Sequence, residues 1–267
     1  MTPDYITLDF VDLGLAALLV ALNGVLSVWL RLGLARQFLI AAARMCVQLG
    51  LMGLVLKYLF ALVSPWLTAL AVAVMVGFAG YEVMSRQETR FRGLWAYGIG
   101  TTAVLFAGTL VTMFALATQI QADPWYHPQY AIPLLGMILG NTMTGIAIGL
   151  NTLTGQVRRE RAAIETLLAL GETRTVAFRP YVRSAARNGL IPIINAMSAA
   201  GVVSLPGMMT GQILSGVDPM EAIKYQIMIM FLIGGGTGLG VIAAVHAGAH
   251  RLSDARHRLR LDHLAGD

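Results

Sequence analysis

Long apolar stretches, separated by shorter polar connections, run along most of the chain. A helix that crosses about 30 Å of hydrocarbon needs roughly 20 mostly apolar residues, because the membrane core offers its backbone no other hydrogen-bond partners. On this criterion the sequence predicts an all-α, polytopic membrane protein with about seven transmembrane helices. The predicted spans are 13–30, 38–60, 65–84, 94–120, 130–154, 190–215 and 225–249.

The composition supports this interpretation and excludes a soluble enzyme. Of the 267 residues, 57% are hydrophobic and only 12% are charged, whereas an ordinary soluble domain carries about a quarter charged residues. The surplus apolar surface must therefore face lipid. The single cysteine, Cys46, excludes an intramolecular disulfide and any Cys-x-x-Cys metal or redox site.

The basic residues fall almost entirely in alternate connections, which predicts the orientation of the chain. Arg and Lys collect on the cytoplasmic side of membrane proteins. Nearly all of the 19 basic residues lie after the first, third and fifth spans or in the C-terminal tail. The acidic positions Asp4 to Asp12, Asp123 and Asp218 to Glu221 lie in the opposite connections. We therefore expect the N-terminus outside and the C-terminus in the cytoplasm, and we interpret the positive charge as a topology signal rather than a sign of nucleic-acid binding.

The connection at 155–189 is the only long cytoplasmic one, and its pattern predicts two helices. Apolar positions at helical spacing predict the first helix over 161–170, and Gly171 suits the left-handed position that ends a helix. Thr173 can cap the second helix, in which Pro180 is expected to bend or restart the chain. The sequence therefore predicts a helical hairpin on the cytoplasmic side.

This hairpin has two interpretations. Its arginines can bind anionic lipid headgroups, or its first helix can insert into another protein as a coupling helix. In either case we expect a transmembrane domain at 1–250, with the loop at 155–189 on its cytoplasmic side, followed by a basic cytoplasmic tail at 251–267.

Five blocks of the sequence carry a resemblance to ABC-transporter permeases. Residues 165–171, ETLLALG, resemble the EAAxxxG pattern with which such permeases dock into a cleft of the ATPase subunit. The blocks at 132–145, 170–177, 204–209 and 222–228 read IPLLGMILGNTMTG, LGETRTVA, SLPGMM and AIKYQIM. They resemble the FetB family of ABC permeases, and the likeness extends over nearly the whole chain.

The resemblance implies a homodimeric subunit embedded in the bilayer of the cell inner (plasma) membrane, partnered by a separate FetA-type ATP-binding subunit. Bacterial members of that family are associated with iron export, and plant relatives with aluminium tolerance. On this interpretation Glu165 and the bend at Gly171 position the coupling helix, and Thr173 and Phe178 contact the ATPase.

A nucleotide site in this chain itself is not expected. A P-loop needs a lysine directly after a glycine, because the backbone amides and the lysine together hold the phosphates. The lysines are Lys57, which follows Leu56, and Lys224, which follows Ile223. We therefore expect a non-enzymatic chain without a cofactor, with ATP and Mg²⁺ bound by the partner subunit. The glycine-rich run at 234–240 predicts close helix packing instead.

Polar groups inside the predicted spans are candidates for the translocation path, because such groups are costly in a bilayer. Glu82 can pair with Arg86 one turn on or can serve a cation pathway. Asn141 can bond across helices or line the path. Arg44 is expected to extend its side chain toward the cytoplasmic surface, with a dimer or pathway contact as the alternative.

Pro206 is the main candidate for a gate. It is expected to break the helical hydrogen-bond pattern in the middle of the predicted sixth span, and freed carbonyls can take the place of water around a cation. Ser204, Met208 and Met209 lie beside it and complete the candidate metal-contact point. A simple kink is the alternative, and the metal-coordinating residues stay unknown.

Two other classes of function remain open at this point. An ion-coupled carrier or channel that needs no ATPase would need a pair of acids in the membrane, and Glu82 is the only well-embedded acid. A membrane scaffold without transport of its own would be expected to carry a larger soluble portion than this tail.

Overall fold

The structure, a computed structural model, describes residues 9–254 and 256–265, so Asp4 and the other positions in 1–8, 255 and 266–267 lie outside the described residues. It confirms the all-α class, because the described part of the chain forms helices and only isolated β-bridges. The helices are α1 (Phe10–Trp29), α2 (Ala35–Leu62), α3 (Pro65–Ser85), α4 (Trp95–Ala115, continued by a π-helical turn, Leu116–Ile120), α5 (Pro128–Arg159), α6 (Arg161–Ala169), α7 (Arg174–Ala199), α8 (Gly207–Leu214) and α9 (Pro219–Arg251).

Six helices of the described chain are long and apolar enough to cross a membrane, and they confirm the polytopic architecture. These six helices are α1 to α5 and α9. They correspond to six of the predicted spans. The difference lies in the predicted sixth span, which the structure forms in another way.

The predicted span at 190–215 is not one helix. α7 begins well before it, in the polar connection, and runs through Pro180 and Pro192. Of the two effects predicted for Pro180, a bend or a restart of the helix, the restart is therefore wrong. Buried Ala177 and Ala185 pack into the core on both sides of this proline, so tertiary contacts hold the helix together across the missing hydrogen bond.

The break comes after α7, not inside a helix. Ala200 is extended, with ψ 133°, and Gly201 has φ +86°, a conformation that L side chains rarely adopt. The N–H of Gly201 donates to the Ser204 carbonyl oxygen at 2.9 Å. Pro206 then precedes α8 as its N-cap. The position predicted for Pro206, in the middle of a helix, is therefore wrong: this proline starts a helix.

α5 lies at the centre of the bundle and packs against α3, α4, α7 and α9. It runs parallel to α9, since Gly236 contacts Ile138 near one end of the pair and Gly248 contacts Leu153 near the other. α4 and α7 run in the opposite direction. α7 and α8 together therefore carry the chain back from the end of α5 to the start of α9, as a discontinuous crossing.

The glycine-rich run on α9 confirms close helix packing at two of its positions. A Cβ added to Gly236 or Gly240 would overlap side chains of α5, whereas a Cβ at Gly238 would meet nothing within 4 Å. The small residues that matter are thus the ones facing α5 and α4.

The pair α1–α2 packs mainly on itself. Of the most apolar window in α1, 11% of the residues are buried within the chain, and of that in α2, 0%. The main body of the bundle is therefore α3 to α9, with the α1–α2 pair at its side.

Candidate functional site

The connection between α5 and α7 forms a compact elbow, by which we mean residues 160–176. The Arg161 guanidinium pairs with Glu165 one turn on, at 2.9 Å. Gly171 has φ +91° after the end of α6, and the Thr173 hydroxyl accepts from the Val176 N–H at 3.5 Å as the N-cap of α7. The predicted helix ending at Gly171 and the predicted cap at Thr173 are confirmed.

The elbow turns one apolar face inward and another outward. Ile164 and Phe178 are buried in the core, with Phe178 only 3% exposed. Phe178 therefore holds α7 in place, which corrects its expected role as a contact for a partner. Leu170 and Val176 are 77% and 47% exposed, so they present apolar surface at the tip of the elbow.

The C-terminal segment is not a free tail, because it packs against the same end of the bundle. Leu264 forms an isolated β-bridge with Phe91 in the α3–α4 connection, and both side chains are buried. The Arg92 N–H donates to the His263 carbonyl oxygen at 2.8 Å. The His257 Nδ1 atom accepts from the N–H of Arg174, the first residue of α7, at 3.1 Å. Three arginine-rich segments thus meet at one end of the bundle.

Two aspartates shape this segment. The Asp254 carboxylate accepts from the N–H groups of Arg256 and Arg258, each at 2.9 Å. The Arg258 N–H in particular lowers the pKa of Asp254 below its usual value. The Arg260 side chain, hydrogen-bonded to Asp262 at 2.7 and 2.8 Å, lowers the pKa of Asp262 to about 2. Both carboxylates therefore stay ionised at neutral pH.

Glu82 is buried on α3 with two guanidinium partners. Its carboxylate is hydrogen-bonded to Arg44 of α2 and lies 3.4 Å from the Nε atom of Arg86. The Arg44 guanidinium also stands 5.5 Å from the centroid of the Phe78 ring. The predicted Glu82–Arg86 pair is confirmed. The half-exposed Arg44 side chain joins α2 to the last turn of α3 through this carboxylate, and its expected extension toward the cytoplasmic surface stays a prediction.

The asparagines of α5 behave differently from one another. Asn151 bonds across elements: its amide donates to the Arg86 carbonyl oxygen, and its oxygen accepts from the Glu88 N–H, both at 2.9 Å. Asn141 is exposed, and its amide donates to Met137 of its own helix at 2.9 Å. Asn141 thus bonds to its own helix and presents a polar surface in the apolar part of α5.

The candidates around the break lie together but apart from Glu82. Ser204 and Pro206 belong to the segment between α7 and α8, and Ser204 is exposed. Met208 and Met209 follow in the first turn of α8, half-buried, with Met208 packed against a core cluster. Glu82 lies near the other end of the bundle, in the last turn of α3. The six candidates therefore form separate groups within one chain.

Comparison with known proteins decides the family. Residues 10–252 match the uncharacterised protein family UPF0014. The chain belongs to UPF0014. It is similar to the "UPF0014 membrane protein slr1647" of Synechocystis sp., with 39% identity over 231 residues that cover 85% of this chain and 87% of the relative. No solved structure matches it.

Two further UPF0014 relatives have names that describe a function. The chain is 32% identical over 253 residues to the "Probable iron export permease protein FetB" of Escherichia coli, with 95% of each chain covered. It is 34% identical over 232 residues to the "Protein ALUMINUM SENSITIVE 3" of Arabidopsis thaliana, covering 86% of this chain and 83% of the relative. The predicted resemblance is confirmed, and the chain is a membrane permease component.

The described residues of this UPF0014 chain hold no group of three or more His, Cys, Asp or Glu side chains that could bind a metal ion. Cys46 is exposed on α2. The His246 Nδ1 atom lies 2.8 Å from the Ile242 carbonyl oxygen of its own helix.

The sequence pattern missed two features of the site. Leu170 and Val176 fit a helical apolar pattern, which by itself indicates burial, and only the three-dimensional arrangement leaves them exposed. His257 and Arg174 are 83 residues apart in sequence, so no local pattern joins them. The density of arginines in both segments was the available signal that they share one end of the bundle.

Proposed function

We propose that this chain is the membrane-spanning permease subunit of an ABC transporter, and that it exports a metal cation under the drive of a separate ATP-binding subunit. The observation that carries the proposal is the elbow at 160–176. The elbow contains the short helix α6, which lies outside the apolar spans and is followed by the turn at Gly171. Leu170 and Val176 are exposed on this elbow. Exposed apolar side chains among charged ones are typical of a docking surface.

The connections of the elbow support a coupling role. α6 follows α5 after a single residue, Glu160, and α7 packs along α5. A displacement of the elbow is therefore transmitted directly to the central helix of the bundle and to its neighbour. Rigid-body movement of packed helices is a common way to switch access to a binding site. In the proposed orientation the elbow lies in the cytoplasm, where ATP is available.

The motor in this proposal is another polypeptide. Lys57 and Lys224 both follow large apolar residues, so neither has the glycine that a P-loop requires. ATP and Mg²⁺ would bind in the partner, and this chain would catalyse no reaction itself. Its part is to present an access path that opens to alternate sides.

The proposal includes a second copy of the chain. Asn141 on α5 and Asn195 on α7 are exposed within this chain, although both lie in apolar stretches. A polar side chain facing lipid is costly. A homodimer that pairs these faces would cover the amides and enclose a polar path between the two copies. Ser204 and the non-helical backbone between α7 and α8 would lie near this path.

Iron is the proposed substrate, and the name of the Escherichia coli relative supports it. The proposed location is the inner (plasma) membrane, since a FetA-type ATP-binding subunit would work from the cytoplasm. The oxygens and thioethers of the 200–209 segment would replace part of the hydration of the cation during passage.

Substitution at the elbow tests the proposal. Leu170→Asp places a charge at the most exposed apolar position of the elbow and leaves the core untouched. The binding partner in the test is the ATP-binding protein whose gene lies nearest the gene of this chain. If the elbow docks into that protein, the substitution lowers the binding affinity about tenfold or more. Binding of the purified proteins in nanodiscs measures this. Met220→Asp is the matched control: it is 65% exposed in the first turn of α9, at the other end, where an acid suits a helix start. Equal binding by both variants and the wild type would contradict the proposal.

A further inference from the structure

The C-terminal segment reaches the elbow and adds to its surface. Two contacts join the residues on either side of the tail loop: the Asp254 N–H donates to the Arg258 carbonyl oxygen at 3.1 Å, and Ser253 forms an isolated β-bridge with Leu259. His257 stands at the tip of this loop, with φ +55°. From there its ring accepts the first N–H of α7.

This contact makes His257 a second cap of the elbow. The first N–H groups of a helix have no partner within it. Thr173 satisfies one of them at the start of α7, and His257 satisfies another from a segment 83 residues further on. The loop and the elbow are therefore joined at the start of α7, which brings their exposed side chains to the same end of the bundle.

Two further attachments hold the segment to the bundle. The Ala265 N–H donates to the Arg90 carbonyl oxygen at 2.7 Å, and Leu264 is fully buried. At the end of α9, the Arg251 guanidinium lies 4.7 Å from the centroid of the Trp95 ring, at the start of α4. The segment thus spans from the elbow to α4 and α9.

We propose that residues 252–254 and 256–265 form part of the docking surface for the ATP-binding subunit and that His257 positions them beside the elbow. This inference rests on the proposed function. The surface combines the exposed Leu170 with the exposed Arg256 and Arg258 on the adjoining loop. It fits a protein cleft with an apolar floor and an acidic rim.

The charge pattern favours a protein over a lipid surface. Ionised carboxylates stand among the arginines: Glu165 is 47% exposed in its ion pair, and Asp262 is 56% exposed. A folded partner can match both signs of charge, whereas an anionic membrane attracts only the arginines.

Cysteine protection tests the docking surface. In a Cys46→Ser background, single cysteines are placed at exposed positions of the elbow (Glu172→Cys), the tail loop (Arg256→Cys) and the opposite end (Trp125→Cys). The proteins are reconstituted in phosphatidylcholine nanodiscs and labelled with a maleimide, with and without the ATP-binding subunit. We expect labelling at 172 and 256 to fall about tenfold in the complex, because an interface core excludes water, and labelling at 125 to stay unchanged.

Three other labelling outcomes would separate this inference from the proposed function. Protection at 172 without protection at 256 would leave the proposed function standing and overturn this inference. Protection at neither position would contradict both. Protection at 256 in phosphatidylglycerol nanodiscs without the ATP-binding subunit would assign the segment to the lipid surface and overturn the inference.

Substitution of His257 separates its positioning role from general folding. His257→Ala removes the acceptor for the Arg174 N–H, so residue 256 should regain at least half of its labelling in the complex while residue 172 stays protected. His257→Asn restores an acceptor at nearly the position of Nδ1 and tolerates the positive φ, so protection at 256 should return. If His257→Ala leaves protection at 256 unchanged, His257 has no positioning role.

Discussion

Gly145 on α5 and Gly189 on α7 lie in backbone contact: a Cβ atom added to Gly145 would stand 2.8 Å from the carbonyl oxygen of Gly189, and one added to Gly189 would stand 2.7 Å from that of Gly145. Val241 of α9 closes the same contact. The three helices that connect the elbow, the break and the C-terminal segment therefore meet at their closest where only glycine fits.

This contact makes a prediction for stability. Gly145→Ala and Gly189→Ala should each destabilise the protein by about 1–3 kcal/mol, because backbone cannot move aside as a flexible side chain can. Thermal unfolding in a fixed detergent measures the effect. Gly140→Ala, on the same helix, is the control: its Cβ would meet nothing within 4 Å, so a neutral or slightly stabilising effect is expected. Equal melting temperatures for all three variants would contradict the close contact between Gly145 and Gly189.

Glu82 makes a second prediction. Glu82→Gln leaves Arg44 and Arg86 without their shared carboxylate, and we expect a loss of about 1–3 kcal/mol, less than for a fully buried pair because both guanidinium groups are half exposed. Glu88→Gln, at an exposed position, should melt like the wild type.

Transport separates the two roles considered for Glu82. If its role is structural, Glu82→Gln should lower transport only in proportion to the loss of folded protein. A variant that melts like the wild type and yet fails to transport would assign Glu82 to the cation pathway instead.

The structure of the break after α7 leads us to expect that Gly201 matters more than Pro206, whereas the sequence indicated Pro206. Gly201→Ala should be more disruptive than Pro206→Ala, because an L side chain at φ +86° costs roughly 1–2 kcal/mol, whereas Pro206 merely precedes α8. Melting temperature and transport rate, compared in the same preparation, measure this. A larger effect of Pro206→Ala would restore the kink interpretation.

Much of the fold could be predicted from local patterns in the sequence. Apolar length predicted seven spans, of which six are continuous helices in the described chain. Gly171 and Thr173 predicted the ends of the elbow helices, because capping depends on a few adjacent residues. Pro180 and Phe178 were misplaced for the opposite reason. Whether a proline breaks a helix, or whether an aromatic ring faces a partner, depends on what packs against it, here the central helix α5.

Contacts between distant segments were beyond the sequence pattern. A basic tail at 251–267 was expected from its composition, yet the residues that anchor it are Leu264, buried against Phe91, and His257, bonded to Arg174. Neither pair has a spacing that local periodicity can detect. The exposed face of Asn141 likewise follows from which neighbours surround α5.

The ion pair of Asp262 makes a prediction about pH. The pKa of this carboxyl is about 2 in the folded segment, below the ordinary value of 3.8. Its contribution to folding is therefore fully present above about pH 4 and is lost as the pH falls through about 2. A carboxyl titration followed by NMR measures the pKa directly.

A matched pair of variants tests the cause. Arg260→Ala removes the side chain that lowers this pKa, so the Asp262 titration should move up toward about 3.9. Arg256→Ala, a neighbouring arginine, should leave it in place. An unchanged Asp262 titration in Arg260→Ala would show that the pair does not form.

The proposed dependence on a separate motor is tested most directly by flux across liposomes that contain this chain with and without the proposed ATP-binding subunit. Fe²⁺, Cu⁺, Al³⁺ and an organic solute are compared, with ATP and with a non-hydrolysable analogue. We expect cation flux only when both the subunit and hydrolysable ATP are present, and we expect the flux of Fe²⁺ to be the highest. Flux at the full rate through the chain alone, with no second subunit and no nucleotide, would contradict this expectation.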